Sequence, residues 1–307
     1  MSYCIENKLA VGISSNALFN LEEEEKIFME EGIEKYRKYQ MENRNKPLEA
    51  GIAMPFIKRF LNINKIYSEE RPVEVILLSK NSPETGVRIF NAVKQHNLDI
   101  SRAAFTSGSS SYKYISAYNI SLFLSANKDD VLNAVNSGYG AGRILKTDVS
   151  DNDENMELRA AFDFDGVLAD DKAEKIYKES ELDSFHKYEE EHSREPHNPG
   201  PLADFFKKLS YFQKLETKKK INDKNYHKII KTAIITARSA PAHERAIKTL
   251  EEWDVTADEM FFWGGIEKKR ILEIFRPHLF FDDQLGHLDE SIRDILLVHI
   301  PFGIANK

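Results

Sequence analysis

Two aspartates one residue apart, Asp163 and Asp165, close a short apolar run in Ala161–Asp170, which reads AFDFDGVLAD. Asp-x-Asp by itself caps a strand or turn more often than it reacts. Three further features in the same half of the chain alter that balance: Thr236, Lys268 and the pair Asp282-Asp283, two of which likewise follow apolar stretches, TAIIT and LFFDD. As a set they suit attack on a phosphate monoester. That chemistry needs a nucleophile, a proton donor for the leaving oxygen and positive charge over the transferring group. Asp163 can act as the nucleophile, and Asp165 can protonate the leaving alkoxide and then activate water. Lys268 balances negative charge, with Lys269 as its alternate, and the Thr236 hydroxyl donates one hydrogen bond. Clustered carboxylates repel one another unless a hard cation sits among them. Magnesium suits Asp163, Asp282 or Asp283, and a backbone carbonyl at Asp165. Gly166 allows a turn in which backbone approaches a phosphate closely.

These residues lie more than a hundred positions apart, so a parallel sheet must gather them at the carboxyl ends of its strands. The apolar runs RAAFDF, TAIIT, MFFW, LFFDD and LLVHI alternate with helical stretches, a pattern that predicts an α/β fold covered on both faces. Ser239 is read as an N-cap, with Pro241 in the first turn of the following helix. Arg238 and Ser239 are also the candidate substrate-binding residues; for Arg238 the plainer alternative is a surface ion pair. His186, His192 and His197 lack zinc-site spacing and are read as solvated or capping. The charged segment 171–231 is expected to form a helical cap, with Phe185, Tyr188, Phe205, Phe206 and Tyr211 as its core.

The same pattern occurs earlier in the chain. An offset of 149 aligns Ser14–Phe60 with Asp163–Leu209 without a gap, and eleven of the 47 pairs are identical. From Ser79 onward an offset of 157 pairs Arg88 with Arg245, Gly108 with Gly265 and Leu122-Phe123 with Leu279-Phe280. Shared helical composition explains one short match, not two long registers in the same order, so the chain reads as a duplication. The expected strands of the first copy are LAVGI, VEVILL, RAAFT, SLFLS and GRILK. The expected domains are 1–150 and 151–307, joined at the acidic stretch Lys146–Glu157. In the first copy Asp163 falls on Ser14, Asp165 on Asn16, Thr236 on Ser79, Lys268 on Ser111 and Asp282 on Ser125. No metal site is expected there. The copy either buttresses its partner or lends its loops, with Lys80-Asn81 and Gly108–Tyr114, to the substrate pocket.

Composition narrows the alternatives. The chain has 307 residues, 41% hydrophobic and 30% charged, which is ample for two globular domains. A formal charge of −7 argues against binding nucleic acid polymers, and TKKKI at 217–221 is read as a solvated helix or loop. The longest apolar runs are too short to span a membrane. One cysteine, Cys4, provides no internal disulfide, and a cytoplasmic location is expected.

Four ordered motifs, Asp163–Gly166, Thr236, Lys268 and Asp282-Asp283, resemble those of the haloacid dehalogenase superfamily. The whole chain resembles the cytosolic type I 5'-nucleotidases, through AVGISSNALFN, VEVILLSKNSPETGVRIFN, RAAFTSGSSSYKYISAYNISLFLSAN, ITARSAPAHERAIKTL and RPHLFFDD. The resemblance implies two tandem Rossmann-like units, the first catalytically degenerate. It also implies magnesium-dependent hydrolysis of nucleoside 5'-monophosphates through an aspartyl phosphate. FDFDGV is closer to the general superfamily form of the first motif than to the family's own, a departure that bears on substrate preference. The alternatives are a phosphatase for another small metabolite and a non-catalytic nucleotide-binding protein. A homo-oligomer is left open.

Overall fold

The computed structural model describes residues 4–150, 156–179 and 182–306, so part of the acidic joint and two positions of the expected cap fall outside the described residues. The chain divides into two compact units, Met1–Ala134 and Val135–Lys307, ahead of the joint expected at residue 150.

In the first unit the elements run β1 (Leu9–Ile13), α1 (Ser15–Leu18), α2 (Glu22–Glu42), α3 (Met54–Ile66), β2 (Val73–Ser79), α4 (Gly86–Gln95), β3 (Arg102–Phe105), β4 (Ile120–Ser125) and α5 (Lys128–Asn136), the last crossing the boundary. The strands lie in the order β3-β2-β1-β4, all parallel. β1, β2 and β4 are buried at every position. That is the mark of a parallel sheet covered on both faces, and it explains their near-continuous apolar runs.

The second unit opens with β5 (Ala141–Ile144), then β6 (Leu158–Phe162), α6 (Lys172–Glu179), α7 (Leu182–Glu191), α8 (Ala203–Asn222), β7 (Ile230–Thr236), α9 (His243–Glu252), β8 (Glu259–Phe262), α10 (Lys269–Phe275), β9 (Leu279–Asp282) and β10 (Leu296–His299). Its strand order is β8-β7-β6-β9-β10-β5. All neighbours are parallel except β5, which runs antiparallel to β10 and falls in this unit by the division at Val135. The period-two alternation of strands sorts the core. Ala161, Ile235, Phe280 and Leu297 share one cluster with Leu272 of α10. Their neighbours Phe162 and Phe281 stack with ring centroids 4.9 Å apart, and Phe206 of α8 meets Phe162 edge-on at 5.2 Å. Such ring pairs add about 0.5–1.5 kcal/mol each beyond the area they bury.

That packing corrects the expected cap. Phe205 and Phe206 lie against the sheet, so α8 is a flanking helix, and β7 begins at Ile230, inside the stretch assigned to the cap. Tyr211 is exposed, not a core residue. The start expected for α9 is also displaced: the helix begins at His243, and Ser239 and Pro241 lie in the turn before it. This turn brings the Ala242 carbonyl to 3.1 Å from Arg238 Nη1.

Candidate active site

β6 delivers Asp163 into the sheet's carboxyl edge. The Asp163 N–H donates to the Phe281 carbonyl at 2.8 Å, continuing the β6–β9 ladder by one residue and setting Asp163 beside Asp282. Asp163 is buried, and its Oδ1 accepts the Phe164 N–H at 2.7 Å. Lys268, at the start of α10, reaches into the same place. Its Nζ lies 2.8 Å from Asp163 Oδ2 and 2.7 Å from Asp282 Oδ2. Burial works against the ammonium, but the two carboxylates outweigh it and raise its pKa. Lys269 instead donates to Asp289 and Ser291.

The two acidic residues at the end of β9 differ in kind. Asp282 is saturated: besides Lys268, its Oδ1 accepts the Gln284 N–H at 2.8 Å, and His287 Nδ1 lies 3.2 Å from both oxygens. Burial raises its pKa, but Lys268 and His287 hold it below the usual carboxylate range. Asp283 is fully buried, yet neither of its carboxylate oxygens has a hydrogen-bond partner. Burial, then the charges of Asp163 and Asp282, push its pKa up to about 10. Burial likewise raises Asp163, though Lys268 opposes it, leaving it at about 7. Gly166, with φ of +73°, passes directly beneath Asp283: a Cβ there would lie 2.5 Å from Asp283 Oδ2. A side chain is thus excluded twice, by backbone conformation and by contact.

An orphaned buried carboxylate is expensive unless a cation meets it. The donor set is all oxygen, a preference of magnesium, and Asp283 rather than the saturated Asp282 has free lone pairs for it. Asp163, Asp282 and His287 also bring one ligand atom each within 4.8 Å of one another, but Asp282 and His287 already bond each other. The residues present therefore fit a hard divalent cation held by Asp163, Asp283 and the Asp165 carbonyl.

Thr236 ends β7, fully buried, and its Oγ1 accepts the Arg238 N–H at 3.2 Å, which leaves the hydroxyl hydrogen to donate. Arg238 is not the surface ion pair considered from the sequence. It is 4% exposed and grips both oxygens of Asp165, Nε to Oδ2 at 2.8 Å and Nη2 to Oδ1 at 2.7 Å. Its Nη1 donates to Glu189 on α7, and its guanidinium lies over the rings of Phe164 and Phe185. Glu189 also accepts from Arg245 at 2.9 Å. Burial raises the Glu189 pKa, but the neighbouring His197 imidazole and the charge of Arg238 outweigh it and hold it down at about 2. His197 is buried between Glu189 and Asp170, not solvated as expected, with nitrogens 3.5 and 3.7 Å from their oxygens. Ser239 is half-buried in the turn beyond Arg238.

Sequence reasoning missed Glu189, Arg245, His197 and His287. None stands at a strand end, and their only signal was an unusual density of charge in segments destined for burial. The motif residues do converge: Asp163, Lys268, Asp282 and Asp283 in one group, Asp165, Thr236 and Arg238 in another, bridged by the two-residue step from Asp163 to Asp165.

A model of the 5'-nucleotidase family matches residues 1–307 of the chain. The chain belongs to that family. It is 34% identical over 296 residues to Cytosolic 5'-nucleotidase 1B of Homo sapiens, covering 94% of this chain and 48% of the relative. It thus spans about half the length of the curated relative it matches. No solved structure matches. The 5'-nucleotidase family lies within the haloacid dehalogenase superfamily. Among the described residues, no helix is long and apolar enough to cross a membrane.

Proposed function

We propose that the chain hydrolyses nucleoside 5'-monophosphates to nucleoside and phosphate, with its chemistry in the second unit. The observation that carries this reading is the Asp163–Lys268–Asp282 chain beside the orphaned Asp283 carboxylate. Family membership supports the substrate class. Magnesium, when bound by Asp163, Asp283 and the Asp165 carbonyl, supplies charge neutralisation for the phosphoryl oxygens.

The chain's own residues divide the remaining work. Lys268, fixed from two sides, orients Asp163 and opposes the rise in its pKa that burial causes. An Asp163 oxygen attacks phosphorus, forming the aspartyl phosphate as the bond to the 5'-oxygen breaks. The Thr236 hydroxyl donates to a phosphoryl oxygen. Asp165 protonates the departing alkoxide and then takes a proton from the water that releases phosphate. Arg238 is a positioning residue: it aims Asp165 from behind, with Glu189 holding the arginine in turn.

The first unit reads as a non-catalytic copy. The sequence offset of 149 carries Leu9–Ile13 onto Leu158–Phe162, and that of 157 carries Val73–Ser79 onto Ile230–Thr236 and Arg102–Phe105 onto Glu259–Phe262. Each pair is a strand of equal length at the equivalent place in the strand order, which supports duplication. α6 and α7 are the remaining candidates for a cap, since α7 carries Glu189 and Phe185 to Arg238.

The test is phosphate release from a panel of nucleoside monophosphates and sugar phosphates, with and without magnesium. Release from nucleotides alone, dependent on magnesium and abolished in a folded Asp163→Asn variant, is the expected result. Preference for sugar phosphates, or full activity in that variant, rejects it.

A further inference from the structure

A cavity of about 580 Å³ lies wholly within the first unit, at the carboxyl ends of β1, β2 and β4. It occupies the place in that unit that the candidate active site occupies in the second, yet its floor has been rebuilt without charge. Ser14 donates to Asn16 at 2.7 Å, where Asp163 and Asp165 stand in the other unit. Ser15 and Ser79 hydroxyls lie 3.0 Å apart. The supporting bonds are kept: Ser79 Oγ accepts the Asn81 N–H at 3.1 Å as Thr236 accepts that of Arg238, and Ser125 Oγ accepts the Asn127 N–H at 3.1 Å as Asp282 accepts that of Gln284. Where the Arg238–Asp165 ion pair stands in the second unit, the two offsets place Asn81 and Asn16 in the first, so both charges are absent together. Neither is left stranded, the arrangement that keeps such a replacement inexpensive.

The charges that remain around the cavity are already engaged. Glu24 pairs with Arg88 at 2.6 Å, Asp130 with Lys80 at 2.9 Å, and Arg37 lies 3.8 Å from Glu84, while Glu25 accepts an amide hydrogen of Asn16 at 3.1 Å. A phosphate entering here would have to compete with Asp130 for Lys80 and with Glu34 and Glu84 for Arg37. Two polar atoms of the lining are left over: Asn81 Nδ2 and Arg37 Nε are buried without a hydrogen-bond partner, although Asn81 Oδ1 accepts the Tyr36 hydroxyl at 2.7 Å. The opposite wall is apolar. α2 breaks at Gly32, where φ is +81°, and both halves line the cavity, with Phe28 and Ile33 about half exposed.

We propose that this cavity binds an uncharged nucleoside, its ring against Phe28 and Ile33 and its hydroxyl or base edge on Asn81 and the serine floor. A cavity of several hundred cubic ångströms, apolar on one side with a few convergent polar groups, is the usual form of a small-molecule site. The choice of a nucleoside among neutral ligands rests on the proposed nucleotidase reading, since a nucleoside is what that reaction releases.

The experiment uses the full chain carrying Asp163→Asn, so that nucleotides persist. Binding of adenosine, guanosine, cytidine, uridine, their monophosphates and inorganic phosphate is measured by equilibrium dialysis. Hydrogen exchange is followed at residues 14–16 and 79–82. At least one nucleoside is expected to slow exchange there, its monophosphate to bind there no tighter, and Asn81→Asp to weaken the nucleoside about tenfold or more by removing the orphan donor. Ile33→Trp, a change on an exposed wall, should block the same protection without altering the melting temperature. Exchange unaffected by every nucleoside overturns the proposal, as does tighter binding of a monophosphate at these residues. Failure of phosphate release with protection intact overturns only the reading of the second unit.

Discussion

Arg238 holds Asp165 by both carboxylate oxygens, at 2.8 and 2.7 Å, from a guanidinium that is itself buried. A planar fork of this kind fixes the plane of the carboxylate as well as its distance. It also engages both oxygens, so under the proposed mechanism Asp165 must release one arm of the fork to pass a proton to a leaving group.

Arg238→Lys tests that hold. An ammonium can keep the charge but not the two-armed geometry. The expected outcome is about a tenfold fall in kcat, about 1.4 kcal/mol, with KM nearly unchanged. Steady-state kinetics checks it; a rise in KM alone would show that Arg238 binds substrate instead of positioning Asp165.

Lys268→Met removes the cation between Asp163 and Asp282 while keeping the length of the side chain. Two buried carboxylates then face each other uncompensated. The expected loss in kcat is about a hundred- to a thousand-fold, accompanied by lower stability in urea. Lys269→Met, whose ammonium lies on Asp289, should change kcat little when assayed in parallel.

Asp283→Asn addresses the cation. The carboxylate it replaces has no partner within the protein, so the amide should leave the metal-free fold at least as stable. Activity should instead require about tenfold more magnesium or worse. Titrating the rate against magnesium, with thermal unfolding in chelator as the control, separates the two effects.

Glu189→Gln strands two buried guanidinium groups, Arg238 and Arg245. Breaking such a buried network costs about 3–5 kcal/mol, readable as a shift in the urea midpoint. The pH dependence has a definite sign. Glu189 is held down at about 2 in the folded chain, so its contribution is present above the ordinary carboxyl range and disappears as pH falls from about 4.5 toward about 2. The wild-type chain should lose stability across that window more steeply than the variant.

The strands were legible in the sequence because parallel strands buried on both faces leave unbroken apolar runs. LAVGI is β1 end to end, and TAIIT and LFFD mark the ends of β7 and β9. Asp163, Thr236 and Asp282-Asp283 were legible for the same reason, standing at or just past the ends of those runs, whereas Lys268 opens α10. The proposed duplication shows in the sequence as two registers of constant spacing. Helix boundaries were less legible. α8 reads as charged and exposed, yet Phe205 and Phe206 press it against Phe162 and Phe281.

Residue types and spacing alone determined that Asp163, Asp165, Thr236, Lys268 and the Asp282-Asp283 pair form one set. Tertiary structure decided what each member faces. Asp282 and Asp283 are neighbours in sequence, but alternation along the strand end turns one toward Lys268 and His287 and leaves the other without a donor above Gly166. Arg238, His197 and Glu189 are ordinary surface types in sequence. Only the approach of α7 to the end of β7 buries them together, where desolvation makes their mutual charges count.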